Sequence, residues 1–461
     1  MSKIKKVLAM LLALAMVLGT TLTAFAATKS EAEIHVSNAE NATLTYVQVI
    51  QPNQTTVTGW EFSSQDIANA YTSAFGVSDA QDAIKAMLNQ TDGRTEQISK
   101  ALSNVVENKN IVFKSMENPQ KVTSAGVYAI HATEEGFTYN NMSAYVGFYD
   151  GEGTLDYPSL KDAELEAKKA PTTVIKDNND PDDVKAIGDT VDYTVKAYVP
   201  YINPNDENKT FFVYDNIEGA TYNLEGAQIT VGGKTITNEI ILNDDKTGFS
   251  IDLSDLIDAT NSRAGDEIVV TYKAVITNEV VENKVEAGHK GGSEFGSDIS
   301  KIFTGTITLV KYGENEEVKL SGAGFKVTKD SDTTVLKFTK ESEGIYKFDK
   351  AGTEEEVFVN DQGELVVKGL DVGSYHFTET TAPKGYSINT VPSTATLVVD
   401  ENNKDAVATT IIRANTSMSD TKLSSLPSTG GIGTTIFTIG GCLIMIAAAG
   451  LFFASRRKSA K

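Results

Sequence analysis

The sequence has almost no cysteine. Of its 461 residues only Cys442 carries a thiol, and it lies in an apolar run near the C-terminus. A chain with one cysteine forms no intramolecular disulfide and no cysteine-based metal site. A covalent staple within this chain would therefore have to use other side chains.

Motifs of catalysis and of metal or nucleotide binding are also missing. The sequence contains no G-x-S-x-G, H-E-x-x-H or G-x-x-x-x-G-K-[ST] pattern, and its four histidines are not spaced as metal ligands. The acidic run 177–183 offers the oxygen ligands that Ca²⁺ prefers, but it lacks the glycine and the distal glutamate of a calcium-binding loop. We interpret it as a solvated acidic loop, with bound Ca²⁺ as the alternative. No metal, no cofactor and no enzymatic activity are predicted, apart from reactions of the chain with itself.

Positive charge is scarce as well. The chain has 41 lysines and arginines against 62 acidic residues, which gives a net charge of −21. Seven of the basic residues lie in terminal segments that are candidates for removal, and without them the net charge becomes −28. Such an acidic surface argues against nucleic acid or anionic lipid as a partner and favours solubility.

The N-terminus has the three parts of a secretory signal peptide. A start with three lysines precedes an apolar stretch over residues 7–18, and Ala24-Phe25-Ala26 forms an A-x-A cleavage site. We predict cleavage after Ala26 and therefore export of the chain.

The C-terminus contains a pentapeptide, an apolar run and a basic tail in that order. The pentapeptide is Leu426-Pro427-Ser428-Thr429-Gly430, and the apolar run covers residues 432–454. At about 1.5 Å per residue a helix of this length crosses a hydrocarbon core of roughly 30 Å, and the basic tail would stay cytoplasmic. From the residues alone, an uncleaved membrane anchor is the alternative.

This C-terminal order resembles the sorting signal of Gram-positive surface proteins. The resemblance implies that a sortase cuts between Thr429 and Gly430 and joins the Thr429 carbonyl to an amine. The mature chain would then be 27–429, anchored to peptidoglycan in the cell wall.

Between the termini the chain divides into three parts, as expected for about 400 residues. Residues 27–170 mix strand-like runs with a helical stretch and predict an α+β domain. Residues 171–287 and 303–416 alternate as short strands between turns and predict immunoglobulin-like β-sandwiches. The glycine-rich residues 288–302 are predicted as a linker, and residues 417–425 as a polar stalk. The predicted fold class is mainly β.

One motif in the third part is distinctive. The segment 375–386, YHFTETTAPKGY, closely resembles the "E-box" of collagen-adhesin B-type domains, which occur in Gram-positive pilins. In that family a lysine on the first strand and an asparagine on the last strand condense into an intramolecular isopeptide bond, with a buried carboxyl group as catalyst. The resemblance implies a bond between Lys311 and Asn415, catalysed by Glu379. The alternative is a surface ion pair and a turn asparagine.

The second part resembles the middle domain of major pilins. The segments that carry this resemblance are 171–176, 188–195, 213–222 and 272–285. The resemblance implies a second isopeptide bond, between Lys176 and Asn283, catalysed by Asp215. Glu218 and Glu267 remain rival carboxylates.

In pilus shaft proteins a lysine after the first domain accepts the threonine of the next subunit, often in a Tyr-Pro-Lys setting. Here Tyr157-Pro158 is followed by Ser159, so the sequence departs from that pattern. Lys168 is the first candidate, followed by Lys169 and Lys161. All three could instead be solvated linker lysines.

The whole pattern resembles a sortase-assembled major (backbone) pilin. It implies a structural shaft subunit of a surface pilus that supports adhesion. Its partners would be pilin-class and housekeeping sortases, other copies of itself and peptidoglycan, with minor pilins and a host surface ligand as further candidates. The alternative is a monomeric wall-anchored adhesin or minor pilin, and an anchored enzyme ranks third.

Overall fold

The computed structural model describes residues 29–88, 95–148, 159–400, 402, 407–424 and 433–458. The chain separates into two compact units. The first contains the described residues up to Thr306 and the segments Lys368–Val372 and Leu397–Arg413, and the second contains the remainder. The first unit holds two separate hydrophobic cores, one built from residues 32–167 and one from residues 174–302.

The N-terminal core packs three helices against small sheets. Its strands are β1 (Ala32–Ser37), β2 (Thr43–Pro52), β3 (Trp60–Phe62), β4 (Lys114–Ser115), β5 (Gln120–Val122), β6 (Gly126–Thr133), β7 (Phe137–Tyr139), β8 (Met142–Val146), β9 (Ala163–Glu166) and β10 (Lys169–Pro171). The helices are α1 (Gln65–Phe75), α2 (Ala80–Leu88) and α3 (Thr95–Glu107). The sheets have the orders β3-β2-β6-β8, with β4 also on β2, then β5-β1-β9 and β7-β10.

Local signals explain where helix α1 begins and ends. Ser64 is extended and its side chain accepts a hydrogen bond from the backbone of Ile67, which satisfies a free N–H of the first turn. Gly76 closes the helix with φ of 65°, a left-handed conformation that glycine adopts without a steric penalty. The predicted helical stretch in an α+β domain is confirmed.

The second core is a sandwich of two five-stranded sheets. Its strands are β11 (Ile175–Asp177), β12 (Thr190–Tyr198), β13 (Phe212–Glu218), β14 (Ala220–Val231), β15 (Lys234–Thr235), β16 (Ile240–Leu242), β17 (Gly248–Asp252), β18 (Glu267–Ile276), β19 (Val280–Gly288) and β20 (Ser297–Phe303). The strand orders are β11-β12-β18-β14-β15 and β16-β17-β13-β19-β20. In β12 every second residue is buried, as a strand with one face on a core requires.

The predicted linker over residues 288–302 is in part a strand. Residues 297–303 form β20, which pairs antiparallel with β19, and Ile302 belongs to the second core. The linker was predicted from the glycines in the loop before β20. The alternation of apolar and polar residues within 297–303 is too short to indicate a strand by itself. The linker prediction was therefore wrong for its C-terminal half.

The second unit contains most of another sandwich. Its strands are β21 (Gly305–Tyr312), β22 (Gly324–Lys329), β23 (Phe338–Ser342), β24 (Ile345–Phe348), β25 (Val357–Phe358), β26 (Glu364–Leu370), β27 (Gly373–Thr381), β28 (Ser393–Leu397) and β29 (Ile412–Ser419). They form sheets of the orders β23-β24-β26-β21-β29 and β25-β22-β27-β28. Together these sheets confirm the prediction of a mainly β chain.

The last strand corrects the predicted stalk over residues 417–425. Strand β29 continues to Ser419, and Asp420 directly after it is buried. The following residues are held too, because Lys422 forms an isolated antiparallel bridge with Tyr386. The polar composition of this segment suggested a stalk, but polar residues on the outer face of a strand have the same composition.

The C-terminal apolar run forms the long helix α4 (Gly433–Lys458). Its segment Ile436–Ser455 has 20 residues with a mean hydropathy of 2.3, and it is long and apolar enough to cross a membrane. This helix matches the span predicted over residues 432–454.

Candidate functional site

The second core contains a lysine where an apolar residue would be expected. Strand β11 alternates opposite to the usual pattern, because Ile175 is 51% exposed whereas Lys176 is only 6% exposed. Burying an amine without compensation is costly. Burial of Lys176 inside the sandwich therefore requires hydrogen-bonding or charged partners in the interior.

Two neighbouring strands of the facing sheet supply those partners. Asp215 on β13 lies opposite Val285, and Asn283 on β19 lies opposite Ile217. The two polar residues are thus diagonal neighbours on the same face of an antiparallel pair. Both are completely buried, so the sheet register directs them at the buried lysine.

A hydrogen-bond network joins the three predicted residues. Lys176 Nζ donates to Asp215 Oδ2 and, at 2.6 Å, to Tyr272 Oη. Asn283 Nδ2 donates to the same Tyr272 hydroxyl at 2.7 Å. Tyr272 in turn donates to Asp215 Oδ1 at 2.8 Å, and Tyr222 donates to that oxygen at 2.9 Å.

Burial sets the protonation of this site. It raises the pKa of the Asp215 carboxyl above its ordinary value and lowers the pKa of the Lys176 amine, because a dry interior disfavours both charges. A proton therefore moves more easily from the amine to the carboxyl than it would in water. The rival carboxylates Glu218 and Glu267 are both exposed and do not take part in this network.

Sequence reasoning missed the two tyrosines. Tyr222 and Tyr272 stand at core-facing positions of β14 and β18, where an aromatic residue usually serves packing. Only the position of the hydroxyl groups against Asp215 distinguishes them from ordinary core residues. The alternation of apolar and polar residues along a strand does not show where a tyrosine hydroxyl lies.

The second unit contains a comparable site. Lys311 on β21 is completely buried, and its Nζ lies 2.8 Å from Glu379 Oε1 on β27 of the facing sheet. The same amine donates a hydrogen bond to Asp420 Oδ1. Glu379 Oε2 accepts a hydrogen bond from the backbone N–H of Asn389 at 2.7 Å. Burial raises the pKa of the Glu379 carboxyl, so this group is suited to holding a proton.

The predicted partner Asn415 does not lie at this site. Its side chain is exposed, whereas Asp420 is 3% exposed and contacts Lys311. Backbone bonds join Ile412 to Thr304 and Asp420 to Tyr312, so β29 runs parallel to β21.

This geometry explains why the pairing of Lys311 with Asn415 is wrong. Asn415 precedes Asp420 by five residues, which is about 16 Å along a strand. Five is also an odd number, so the two side chains point to opposite faces of the sheet. The alternation of Met418 with Asp420 was the signal that could have identified the aspartate.

The three candidate acceptor lysines differ in their surroundings. Lys168, between β9 and β10, is exposed. Lys169 Nζ lies 3.1 Å from Glu134 Oε2 and 4.3 Å from the centre of the Phe137 ring, so its ammonium group is already engaged. Lys161 is half-buried. Lys168 is therefore the most accessible of the three amines.

Several predicted sites fall on other parts of the chain. The signal cleavage site at Ala26 and the sorting pentapeptide, residues 426–430, lie outside the described residues. Within the residues that the structure describes, no group of histidine, cysteine and acidic side chains is arranged to hold a metal ion.

Comparisons with known proteins agree with this architecture. The SpaA model, a prealbumin-like fold domain, matches residues 305–412, and the LPXTG cell wall anchor motif matches residues 419–461. The chain is 23% identical over 437 residues to the trypsin-resistant surface T6 protein of Streptococcus pyogenes serotype M6, covering 70% of this chain and 77% of that protein.

Solved structures of pilins are similar to the chain, among them the following two. The T6 backbone pilin of serotype M6 Streptococcus pyogenes matches with a TM-score of 0.51 at 17% identity, covering 86% of this chain and 100% of that chain, and supports the same fold. The major pilin SpaA of Corynebacterium diphtheriae matches with a TM-score of 0.44 at 15% identity, covering 86% of this chain and 100% of that chain.

These matches confirm the predicted resemblance and the predicted location. The anchor motif places the chain at the cell wall, and the relatives are structural pilins. The chain is a cell-wall-anchored surface protein that is similar, in sequence and in fold, to the backbone pilins of Gram-positive bacteria.

Proposed function

We propose that the chain is the shaft subunit of a covalently polymerised pilus, stapled internally by two isopeptide bonds. The observation that carries this proposal is the buried lysine in each sandwich, placed beside a carboxyl catalyst and beside a second side chain whose carbonyl carbon can acylate the amine. Each lysine lies on the first strand of its sandwich. Its partner lies on, or directly after, a strand near the C-terminal end.

In the first of these sites the amine of Lys176 forms a bond to Cγ of Asn283. Asp215 first takes a proton from the ammonium group, which leaves a neutral and therefore nucleophilic amine. Attack produces a tetrahedral centre, and the C–Nδ2 bond then breaks. The products are a Lys–Asn amide and ammonia.

In the second site the amine of Lys311 forms a bond to Cγ of Asp420. Glu379 serves as the proton carrier, since it contacts the amine and its raised pKa favours a protonated carboxyl. The leaving group is the Asp420 hydroxyl, so one molecule of water is released. Because the partner of Lys311 is Asp420 and not the predicted Asn415, the expected reaction releases water and not ammonia.

Both bonds suit a protein that is pulled along its length. A crosslink from Lys176 to Asn283 encloses on the order of 100 residues and stabilises by roughly 4–5 kcal/mol in the loop-entropy description. A load that enters near the first strand and leaves near the last passes through the covalent bond. Because resistance to force depends on the unfolding rate, a bond in the load path prevents the sandwich from opening.

Polymerisation would join the Thr429 carbonyl of one subunit to Lys168 of the next. Such a head-to-tail contact does not close on itself and therefore produces a filament. A pilin-class sortase would form these joints, and a housekeeping sortase would attach the last subunit to peptidoglycan. The similarity to backbone pilins supports this role over a monomeric adhesin, for which the described residues provide no specific observation.

The test is expression of the chain in a Gram-positive host together with a pilin-class sortase, followed by immunoblotting of wall extracts. The wild type should give a ladder of covalent multimers, and Thr429→Ala should abolish it. Lys168→Arg should leave only monomers, while Lys169→Arg and Lys161→Arg, as matched controls, should polymerise normally.

The outcomes separate the parts of the proposal. A wall-anchored wild-type chain that never forms multimers would overturn the shaft function and support the adhesin. A ladder that disappears with Lys169→Arg or Lys161→Arg, but not with Lys168→Arg, would retain the shaft and overturn only the acceptor assignment.

A further inference from the structure

We propose that Tyr272 is a catalytic residue of the Lys176–Asn283 condensation, and that its hydroxyl carries a proton from the attacking nitrogen to the leaving nitrogen. This inference rests on the proposed crosslink. It adds a residue to the lysine, asparagine and aspartate that the sequence indicated.

The geometry places one oxygen atom between all three groups. Tyr272 Oη is 2.6 Å from Lys176 Nζ and 2.7 Å from Asn283 Nδ2, and it accepts a hydrogen bond from each. It donates its own proton to Asp215 Oδ1 at 2.8 Å. A hydroxyl has one proton to donate and two lone pairs to accept with, so its hydrogen-bonding capacity is fully used by the reacting groups.

The condensation needs the transfer that this position allows. When Lys176 Nζ attacks Cγ of Asn283, the attacking nitrogen becomes positively charged and has to lose a proton. Nδ2 must gain a proton before the C–N bond breaks, because an amide anion does not leave. Once the tetrahedral centre has formed, Nδ2 is a basic amine nitrogen, and the Tyr272 hydroxyl can turn its proton from Asp215 Oδ1 to Nδ2. Tyr272 then gives this proton to Nδ2 and takes one from Nζ, which moves one proton between the two nitrogens with no net change on the hydroxyl.

The ring of Tyr272 is fixed in position. Its centroid lies 5.4 Å from that of Tyr193, its partner across strands β12 and β18, and the two rings are stacked. The Phe249 ring meets it edge-on at 5.1 Å. This packing aims the hydroxyl, and it also means that a phenylalanine should fit at position 272 with little disturbance.

Neighbouring groups are less suited to the task. Tyr222 contacts Asp215 Oδ1 at 2.9 Å, but neither reacting nitrogen is among its hydrogen-bond partners in the described part of the chain. Asp215 contacts the amine through Oδ2, and its position explains removal of the first ammonium proton. Burial keeps the pKa of the Tyr272 hydroxyl well above its ordinary value, so the group holds the proton that it has to donate.

The experiment follows the crosslink in newly made protein. The full chain is pulse-labelled by cell-free synthesis, quenched in acid at intervals and digested, and the crosslinked and free peptides containing Lys176 are measured by mass spectrometry. Tyr272→Phe should slow formation of the bond by about 10²-fold or more, the size of effect expected for a positioned proton-transfer group. Tyr214→Phe is the matched control, because it removes a hydroxyl of the same sandwich that accepts a hydrogen bond from the backbone N–H of Gly291 at 2.7 Å. Its rate should be that of the wild type.

The same digest contains an internal control for synthesis and recovery of the chain. The Lys311–Asp420 peptide should appear at the same rate in all variants, since it forms in the other unit. To separate chemistry from packing, 3-fluorotyrosine is placed at position 272, where it keeps the hydroxyl but makes it more acidic. A relay predicts a changed rate and a shifted pH profile, whereas a purely structural hydroxyl predicts neither.

Each result has a defined meaning. Wild-type kinetics in Tyr272→Phe, or an unchanged rate and pH profile with 3-fluorotyrosine, would overturn the relay. A wild-type chain that never yields the Lys176–Asn283 peptide would overturn the proposed crosslink itself, independently of Tyr272.

Discussion

Lys311 and Asp420 meet at matching ends of two neighbouring parallel strands, with both side chains fully buried. Glu379 approaches the same amine from the facing sheet at 2.8 Å. One amine and two carboxyl groups in a dry site cannot all keep their ordinary charges at low cost. Condensation of the amine with one carboxyl removes two of these charges, which gives a physical reason for the reaction.

The leaving group provides a direct test of this pairing. Asp420→Asn should still form the bond but release ammonia in place of water, and Asp420→Ala should form no bond. Asn415→Ala, the matched control on the exposed face, should behave as the wild type. Intact mass and peptide mapping distinguish these outcomes. The wild type should show the loss of one water and one ammonia in total.

A crosslink located by fragmentation at the Asn415 side chain, or a wild-type deficit of two ammonias, would contradict the assignment of Asp420. In that case the register of β29 would have to differ from the one described above.

A second prediction concerns the cost of an orphaned amine in the first unit. Asn283→Ala removes the bond but leaves Lys176 paired with Asp215, and we expect a loss of about 4–5 kcal/mol. Asp215→Ala removes both the bond and the partner carboxylate. We expect the free energy of unfolding to fall by a further amount of about 3 kcal/mol, the lower end of the range for a broken buried ion pair. The lower end applies because the unpaired amine can lose its proton and become neutral.

Pulse proteolysis across a urea series, scored on peptides from β12 and β18, measures these differences. Asp192→Ala removes an exposed carboxylate on β12 and should stay within about 0.5 kcal/mol of the wild type. Equal stabilities for Asn283→Ala and Asp215→Ala would show that the carboxylate contributes nothing beyond catalysis.

A third prediction is a dependence of stability on pH that arises from Asp182. Burial, together with its hydrogen bond to Asp180, raises the pKa of Asp182 from 3.8 to about 6. The folded state therefore binds the proton more tightly than the unfolded chain. The stabilisation of the folded state that comes from protonated Asp182 is complete below about pH 4, and it is lost as the pH rises through about 6.

Asp182→Asn cannot titrate, and its amide can replace the protonated carboxyl as a hydrogen-bond donor. Melting temperatures measured from about pH 4 to about pH 7 should therefore fall more steeply for the wild type than for this variant. Asp177→Asn changes an exposed carboxylate of the same acidic run and should keep the wild-type slope. Parallel curves for the wild type and Asp182→Asn would refute the prediction.

Much of the architecture follows from local sequence patterns. Alternating burial in β12 and β18 and the helical spacing in α1 reflect periodicities that are visible without a structure. The association of Lys176, Asp215 and Asn283 was accessible through a family resemblance that covers their strands. Its structural basis is a simple register, in which two residues of an antiparallel pair share one face.

Other features depend on contacts between distant parts of the chain. Which residue of β29 faces Lys311 is decided by a parallel pairing of strands about 100 residues apart, and a shift by an odd number of residues reverses the face. Asn415 was chosen by residue type, whereas the register selects Asp420. The hydroxyl of Tyr272 is similarly invisible in the sequence, because a core-facing tyrosine and a catalytic one occupy the same kind of position.

The short segment after Asp420 has a mechanical consequence. Thr421 and Leu423 are joined to the turn segment 385–387 by the hydrogen bonds Ser387 N to Thr421 O and Leu423 N to Gly385 O, each 3.0 Å long. A pull from the C-terminal side would peel these bonds first and then reach the proposed staple at Asp420. Three residues release only about 10 Å of slack. Once these three residues are extended, the load would reach the proposed covalent bond, and residues 311–420 would not lengthen further under a pull from this end of the subunit.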